Sequence, residues 1–149
     1  MAHRLLRAGD AYWRESNQMG VPNTDLAKQL EAASLGGRLW RLGPGQASTW
    51  HRHPQQEELY VLLEGKGRIR VGEESLELGP LDTLLVEPDT LRQIFNDTDE
   101  EALWLVVGAP PEAATSTLDM SEEQLRWMYP DGPRALPPEL GGGELTPPG

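Results

Sequence analysis

The sequence predicts an all-β domain closed into a barrel, and two observations carry that expectation. Between Gly37 and Pro110 the chain breaks into short alternating runs separated by Gly, Pro, Asp and Asn, the pattern of a compact β-sandwich or barrel. About eight such runs fall within about seventy residues, which leaves little room for helices and suits a closed barrel without exposed edges.

The runs expected as strands cover residues 38–42, 47–53, 58–63, 67–71, 75–78, 83–86, 91–96 and 103–107. Turns are expected at Gly43-Pro44-Gly45, at Pro54-Gln55-Gln56, around Gly65, Gly72 and Gly79-Pro80, and at Asn96-Asp97-Thr98-Asp99. The barrel is thus expected over residues 37–110, with flanks of another character. In the segment 1–36, Thr24 is placed to cap a short helix over residues 25–33, with Leu26 and Leu30 on one face and Gly36 or Gly37 ending it. In the segment 111–135, Ser121 and Gln124 make a capping box, and Leu125, Met128 and Tyr129 follow before Pro130 stops the helix. Residues 136–149 are rich in Pro, Gly and Leu with little to bury, and are expected to form a mobile or partner-docked tail.

Composition narrows the function classes. A chain of 149 residues fits one core, and none of its apolar runs approaches the length of a membrane span, about 18 residues. The N-terminal residues carry charge without the apolar block of a signal peptide, so a cytoplasmic protein is expected. There is no cysteine, which removes disulfides, thiolate metal sites and cysteine nucleophiles together. Thirteen basic against 24 acidic residues give a net charge of −11, which repels phosphate backbones and anionic lipid surfaces. Neither nucleic acid nor a membrane is expected as partner; a small molecule is.

Chemistry concentrates between Gly45 and Gly65. His51 and His53 stand one residue apart on an expected strand, so both imidazoles point to the same face. Pro54 ends that strand, and the returning strand brings Glu58 back opposite the pair. Imidazole nitrogen with carboxylate oxygen suits zinc, manganese, iron, nickel or copper, and two histidines with one carboxylate leave open positions for water or substrate. A His-x-His pair on an arbitrary strand is more often a surface or polar-core feature, so the flanking residues have to decide. Tyr60 and Leu62 continue the Glu58 face and should line the interior, while Leu59, Val61 and Leu63 face outward. Trp40, Trp50 and Trp104 read as core or interface aromatics, and Arg68 and Arg70 as a solvated strand face.

The order Gly45, five residues, His51, one residue, His53, four residues, Glu58, six residues, Gly65 resembles the first motif of the cupin superfamily at every defined position. Five fixed residues in that spacing arise by chance on the order of once in ten million start positions. The resemblance implies a double-stranded β-helix, or jelly-roll, barrel in which His51, His53 and Glu58 are ligands of a divalent transition metal. It covers about half the chain and fails at one place. The second cupin motif supplies a fourth ligand, a histidine after a Pro-x-Gly turn and before an Asn. Counting back from Asn96, Arg92 stands in the place of that histidine and Asp89 in the place of the glycine.

A guanidinium offers only donors and cannot ligate a cation. Two arrangements are open at this stage. A metal held by three residues and water leaves Arg92 to turn toward the barrel mouth and bind an anionic group. Alternatively, Arg92 pairs with Glu58 and takes the place of the metal. The first makes the protein a metal-dependent enzyme acting on a small anionic or oxygen-rich molecule, with Arg92 and Tyr60 as substrate contacts; the second makes it a non-catalytic anion-binding module. Small cupins commonly pair through their outer sheet, so the resemblance also implies a homodimer.

Overall fold

The computed structural model describes residues 2–112 and 120–142. Among the described residues nine strands form two sheets: β1 (Arg14–Glu15), β2 (Pro22–Asp25), β3 (Gly36–Leu42), β4 (Glu57–Glu64), β5 (Gly67–Val71), β6 (Glu74–Leu78), β7 (Thr83–Val86), β8 (Arg92–Phe95) and β9 (Ala102–Ala109). The larger sheet has the order β1-β2-β3-β9-β4-β7 and the smaller β6-β5-β8. Their inner faces enclose one core, with Leu42 from β3, Leu62 from β4, Ile69 from β5, Val86 from β7, Ile94 from β8 and Trp104 from β9 each no more than 2% exposed. This is the expected all-β, jelly-roll architecture, but as a two-sheet sandwich rather than the closed barrel expected, since among the described residues the two sheets keep separate strand orders. No helix among the described residues is long and apolar enough to cross a membrane.

Strand register makes one end of this interior polar and the other dry. On β4 the inward row runs Glu58, Tyr60, Leu62, and on β9 it runs Gly108, Val106, Trp104, Ala102, with Glu58 opposite Gly108 and Leu62 opposite Trp104. On β3 the same face carries Gly36, Arg38, Trp40 and Leu42, with Gly36 opposite Gly108 and Leu42 opposite Ala102. Large apolar side chains fill the dry end. There the small sheet approaches so closely that a Cβ on Gly67 would collide with the Trp104 ring. At the other end Gly108, opposite Glu58, leaves room for the Gln56 side chain, which a Cβ there would meet.

Three local expectations change. Residues 47–53 do not form a regular strand. They run antiparallel to β8 through isolated bridges, Ala47 with Phe95 and His51 with Arg92, so four steps of one segment oppose three of the other. The extra residue is a bulge, a device that re-aims side chains beside functional sites. The helix expected over 25–33 shrinks to a single turn, α1 (Leu26–Gln29), capped by Asp25 through Lys28 N and followed by Glu31 at φ +56°. Thr24 belongs instead to β2, where Asn23 and Thr24 are 1% and 0% exposed. Asn23 donates to the carbonyls of Arg14 and Val21, and Thr24 accepts from Gln29, so this strand is bought with side-chain hydrogen bonds rather than with an apolar pattern.

Residues 135–142 of the C-terminal segment lie against the barrel. Gln93 donates to the Ala135 carbonyl, and Glu139 pairs with Arg68 at 3.2 Å and Arg70 at 3.9 Å, so the C-terminal segment lies across the outer face of β5 and β8. Residues 143–149 fall outside the described residues. The second helix, α2 (Glu122–Met128), forms with the expected Ser121–Gln124 capping box.

Candidate metal centre

The bulge and the Pro54 turn bring His51 and His53 to the polar end of the barrel, facing Glu58 at the start of β4. His51 Nε2 lies 4.0 Å and His53 Nε2 3.5 Å from Glu58 Oε1, and the imidazole centroids are 4.8 Å apart, edge to face. One ligand atom from each of the three residues lies within 4.8 Å of the other two. Among the described residues this is the group of His, Asp or Glu side chains that could hold a metal ion.

The far side of each imidazole is already committed. His51 Nδ1 is 2.8 Å from the Thr49 carbonyl oxygen, which can only accept, so Nδ1 carries the proton and Nε2 is bare. His53 Nδ1 is 3.0 Å from Glu112 Oε2, a carboxylate that likewise accepts. Both bare nitrogens therefore face Glu58. This is the arrangement in which histidines ligate metals, with the distal N–H donated to a carbonyl or carboxylate. The three donors fit a divalent ion, with small adjustments from 3.5–4.0 Å to ligand spacing.

Charge follows from burial and proximity. Burial, with the neighbouring His53, pushes the His51 imidazole down to about 3, which keeps it neutral and able to ligate. Burial alone would raise the Glu58 carboxyl, but its contact with His53 and the nearby His51, His53 and Arg92 groups outweigh it and bring it to about 2. Burial would likewise lower His53, yet its contacts with Glu58 and Glu112 outweigh it and raise the imidazole above its ordinary value. Tyr60 donates to Glu58 Oε1 at 2.8 Å; burial, followed by the Glu58 charge, holds its hydroxyl well above the usual phenol range, so it is a donor here.

Arg92 does not reach the mouth. It is fully buried, with Nε 3.8 Å from Glu58 Oε1 and Nη2 donating to the Glu87 carbonyl at 3.1 Å, and it is absent from the cavity wall. Its Nε and Nη1 have no hydrogen-bond partner among the described residues. The turn that precedes it keeps the expected shape without glycine: Asp89 adopts φ +60°, its N–H donates to the His53 carbonyl, and its carboxylate is 3.5 Å from Arg52.

A cavity of about 360 Å³ opens above the three donors. Its wall includes Tyr60, as alternation predicts, together with Ile94, Arg38, Trp40, Glu112 and Tyr129. Arg38 was missed from the sequence, although the inward row it shares with Trp40 and Leu42 carried the signal. Glu112 and Tyr129 carried no such signal: each lies outside the barrel segment with no spacing relation to the histidines. Helix α2 brings Tyr129 to the mouth because Arg52, next to His51, donates to the Trp127 carbonyl and stacks on the Trp127 ring at 4.4 Å.

Comparison with known proteins agrees with this geometry. Residues 38–108 match the family model described as the cupin domain. A curated relative, an uncharacterized protein of Methanocaldococcus jannaschii, is 30% identical over 73 residues, 49% of this chain and 58% of that protein, so the match spans under two thirds of that relative. Among solved structures, a sugar phosphate isomerase from a cupin superfamily of Silicibacter pomeroyi is 26% identical with a TM-score of 0.66, over 72% of this chain and 76% of that one. A cupin protein from Bacteroides fragilis is 22% identical with a TM-score of 0.63, over 81% and 97%, and shares the fold. The matching model, the two-sheet fold and the Gly45–Gly65 spacing agree, and residues 38–108, just under half of the chain, form a small cupin domain.

Proposed function

We propose that this cupin is a metal-dependent enzyme acting on a small anionic or oxygen-rich molecule, with His51, His53 and Glu58 holding a divalent transition metal at the floor of the cavity. The observation that carries the reading is the convergence of two bare imidazole nitrogens and one ionised carboxylate within 4.8 Å. Local charge supports it. The Arg92 cation offsets one carboxylate, but Glu112 brings a second, so with neutral imidazoles the site keeps net negative charge for a cation. A bound divalent metal supplies Lewis acidity to an oxygen ligand, and an iron supplies oxygen chemistry.

The chain's own residues do the rest. Tyr60 holds Glu58 in place through its hydroxyl. Arg38, half-buried on the cavity wall, is held by Asp25 at 2.9 Å and Asn23 at 2.9 Å and presents the cationic side chain of the inward β3 row. It takes the anion-binding role that Arg92, buried behind Glu58, is not positioned to fill. Trp40 and Tyr129 supply apolar faces that exclude water. The sugar phosphate isomerase of Silicibacter pomeroyi, an enzyme whose substrates carry both hydroxyls and a charged group, is consistent with that substrate class.

A second reading rests on the 3.8 Å approach of Arg92 to Glu58: a non-catalytic small-molecule binder in which this pair replaces the metal. Metal analysis of protein purified without a histidine tag separates the two. Near one equivalent of transition metal per chain is expected, and less than about a tenth, unchanged after reconstitution, rejects the enzyme in its metal form. A cytoplasmic homodimer completes the proposal. Cross-strand neighbours Leu59 and Leu85, 39% and 52% exposed on the outer face of the large sheet, support pairing there. Light scattering after size exclusion is expected to give twice the chain mass.

A further inference from the structure

The Glu112 carboxylate touches the centre without belonging to the barrel. It follows β9 in the chain, is 59 residues from His53, and its side chain is 18% exposed. Its two oxygens are used on opposite sides. Oε2 accepts from His53 Nδ1 at 3.0 Å, while Oε1 accepts the backbone N–H groups of Gln56 at 3.3 Å and Gln55 at 3.4 Å, in the turn between the histidines and β4. The two backbone groups can only donate, so Oε1 accepts from both, and the remaining carboxylate oxygen Oε2 is left as an acceptor for a protonated His53 Nδ1.

We infer that Glu112 is a positioning residue that locks His53 as the Nδ1–H tautomer, with Nε2 bare toward Glu58, and ties that choice to the turn carrying the chain from His53 to Glu58. The inference rests on the metal-site reading for its purpose, although not for its geometry. The isosteric amide shows why. In Glu112→Gln, an NH₂ turned toward His53 forces Nδ1 to become an acceptor and moves the ring proton to Nε2, against Glu58. An NH₂ turned the other way meets the two backbone N–H groups of the turn, leaving donor against donor. A side chain that only fills space would carry no such asymmetry.

The test is the tautomer of His53, read by long-range ¹H–¹⁵N correlation on metal-free protein at a pH high enough that this imidazole, raised above its ordinary value by Glu58 and Glu112, shows the two unequal ring-nitrogen shifts of a neutral form. The sequence has three histidines, so His3→Gln and His51→Gln assign the spectrum. In the unsubstituted chain His53 is expected as the Nδ1–H form, and in Glu112→Gln as the Nε2–H form. A zinc competition titration on the same pair is expected to show affinity falling about 10- to 100-fold in the variant. An Nε2–H tautomer for His53 in the unsubstituted protein overturns the inference without any variant, should Glu112→Gln fail to fold. So does an unchanged tautomer in a folded Glu112→Gln. The metal reading fails separately: a chain that takes up no zinc while its tautomer still follows residue 112 keeps the Glu112 lock and loses the metal.

Discussion

Arg92 governs the energetics of the centre. A fully buried guanidinium with two nitrogens lacking hydrogen-bond partners among the described residues is tolerated because Glu58 lies 3.8 Å away and the Glu87 carbonyl accepts from Nη2. Removing one member of such a pair leaves the other buried and uncompensated, which costs about 3–5 kcal/mol. Glu58→Gln is therefore expected to lower the unfolding free energy of metal-free protein by about that amount in urea titration, and a loss under about 1 kcal/mol would show that the pair is solvated. Arg92→His tests the same position from the other side. It replaces a cation by an imidazole at the place of the histidine in the second cupin motif, and is expected to tighten zinc binding by about tenfold or more in competition with a chelator. An unchanged affinity would mean that position 92 does not reach the ion. At this scale the sequence showed the three donors, because period-two spacing and one returning strand suffice to converge them. It did not show that Arg92 stays behind Glu58, which depends on the depth of β8 beneath the 47–53 segment, nor Glu112, which arrives from after β9 with no local signal.

At the scale of elements, the strands written in alternating apolar residues were legible: β5 and β7 have the bounds that the alternation predicts. The elements missed are those whose order comes from polar side chains or from a partner strand. β2 is built on buried Asn23 and Thr24, and the 47–53 segment is bent by one extra residue that no period reveals. The capping box of α2 was legible because both of its members are local. It has a functional use, since α2 is the platform on which Arg52 and Tyr129 rest beside His51. Ser121→Ala removes the acceptor for Gln124 N and is expected to cost about 1 kcal/mol. Hydrogen exchange should show faster opening in α2 with β4 and β9 unaffected; uniform acceleration would mean that α2 and the barrel unfold as one unit. Gly67→Ala is the opposite case. Its added methyl meets Trp104 and Leu62 at the dry end, and a cost of about 1–3 kcal/mol spread over the whole barrel is expected.

The molecule as a whole couples its folding to this one site. The donors come from the bulged 47–53 segment and from β4, Glu112 follows β9, and all of them meet only when the two sheets close over the core. An unfolded chain scatters them, so an ion that binds them binds the native state and stabilises it by mass action. At free zinc one hundred times its dissociation constant the gain is about 2.7 kcal/mol, which for a chain of this length raises the melting temperature by about 5–10 °C. The increment should grow with the logarithm of zinc concentration and vanish in His51→Ala, His53→Ala and Glu58→Gln. It should survive in Arg68→Ala, whose Asp97 and Glu139 partners lie on the outer face of the small sheet, away from the cavity. Differential scanning calorimetry across a zinc series reads all of these at once. A shift of equal size in the His53→Ala protein would locate the stabilising ion elsewhere on this acidic surface, because the barrel centre cannot retain its affinity with one of its two imidazoles removed.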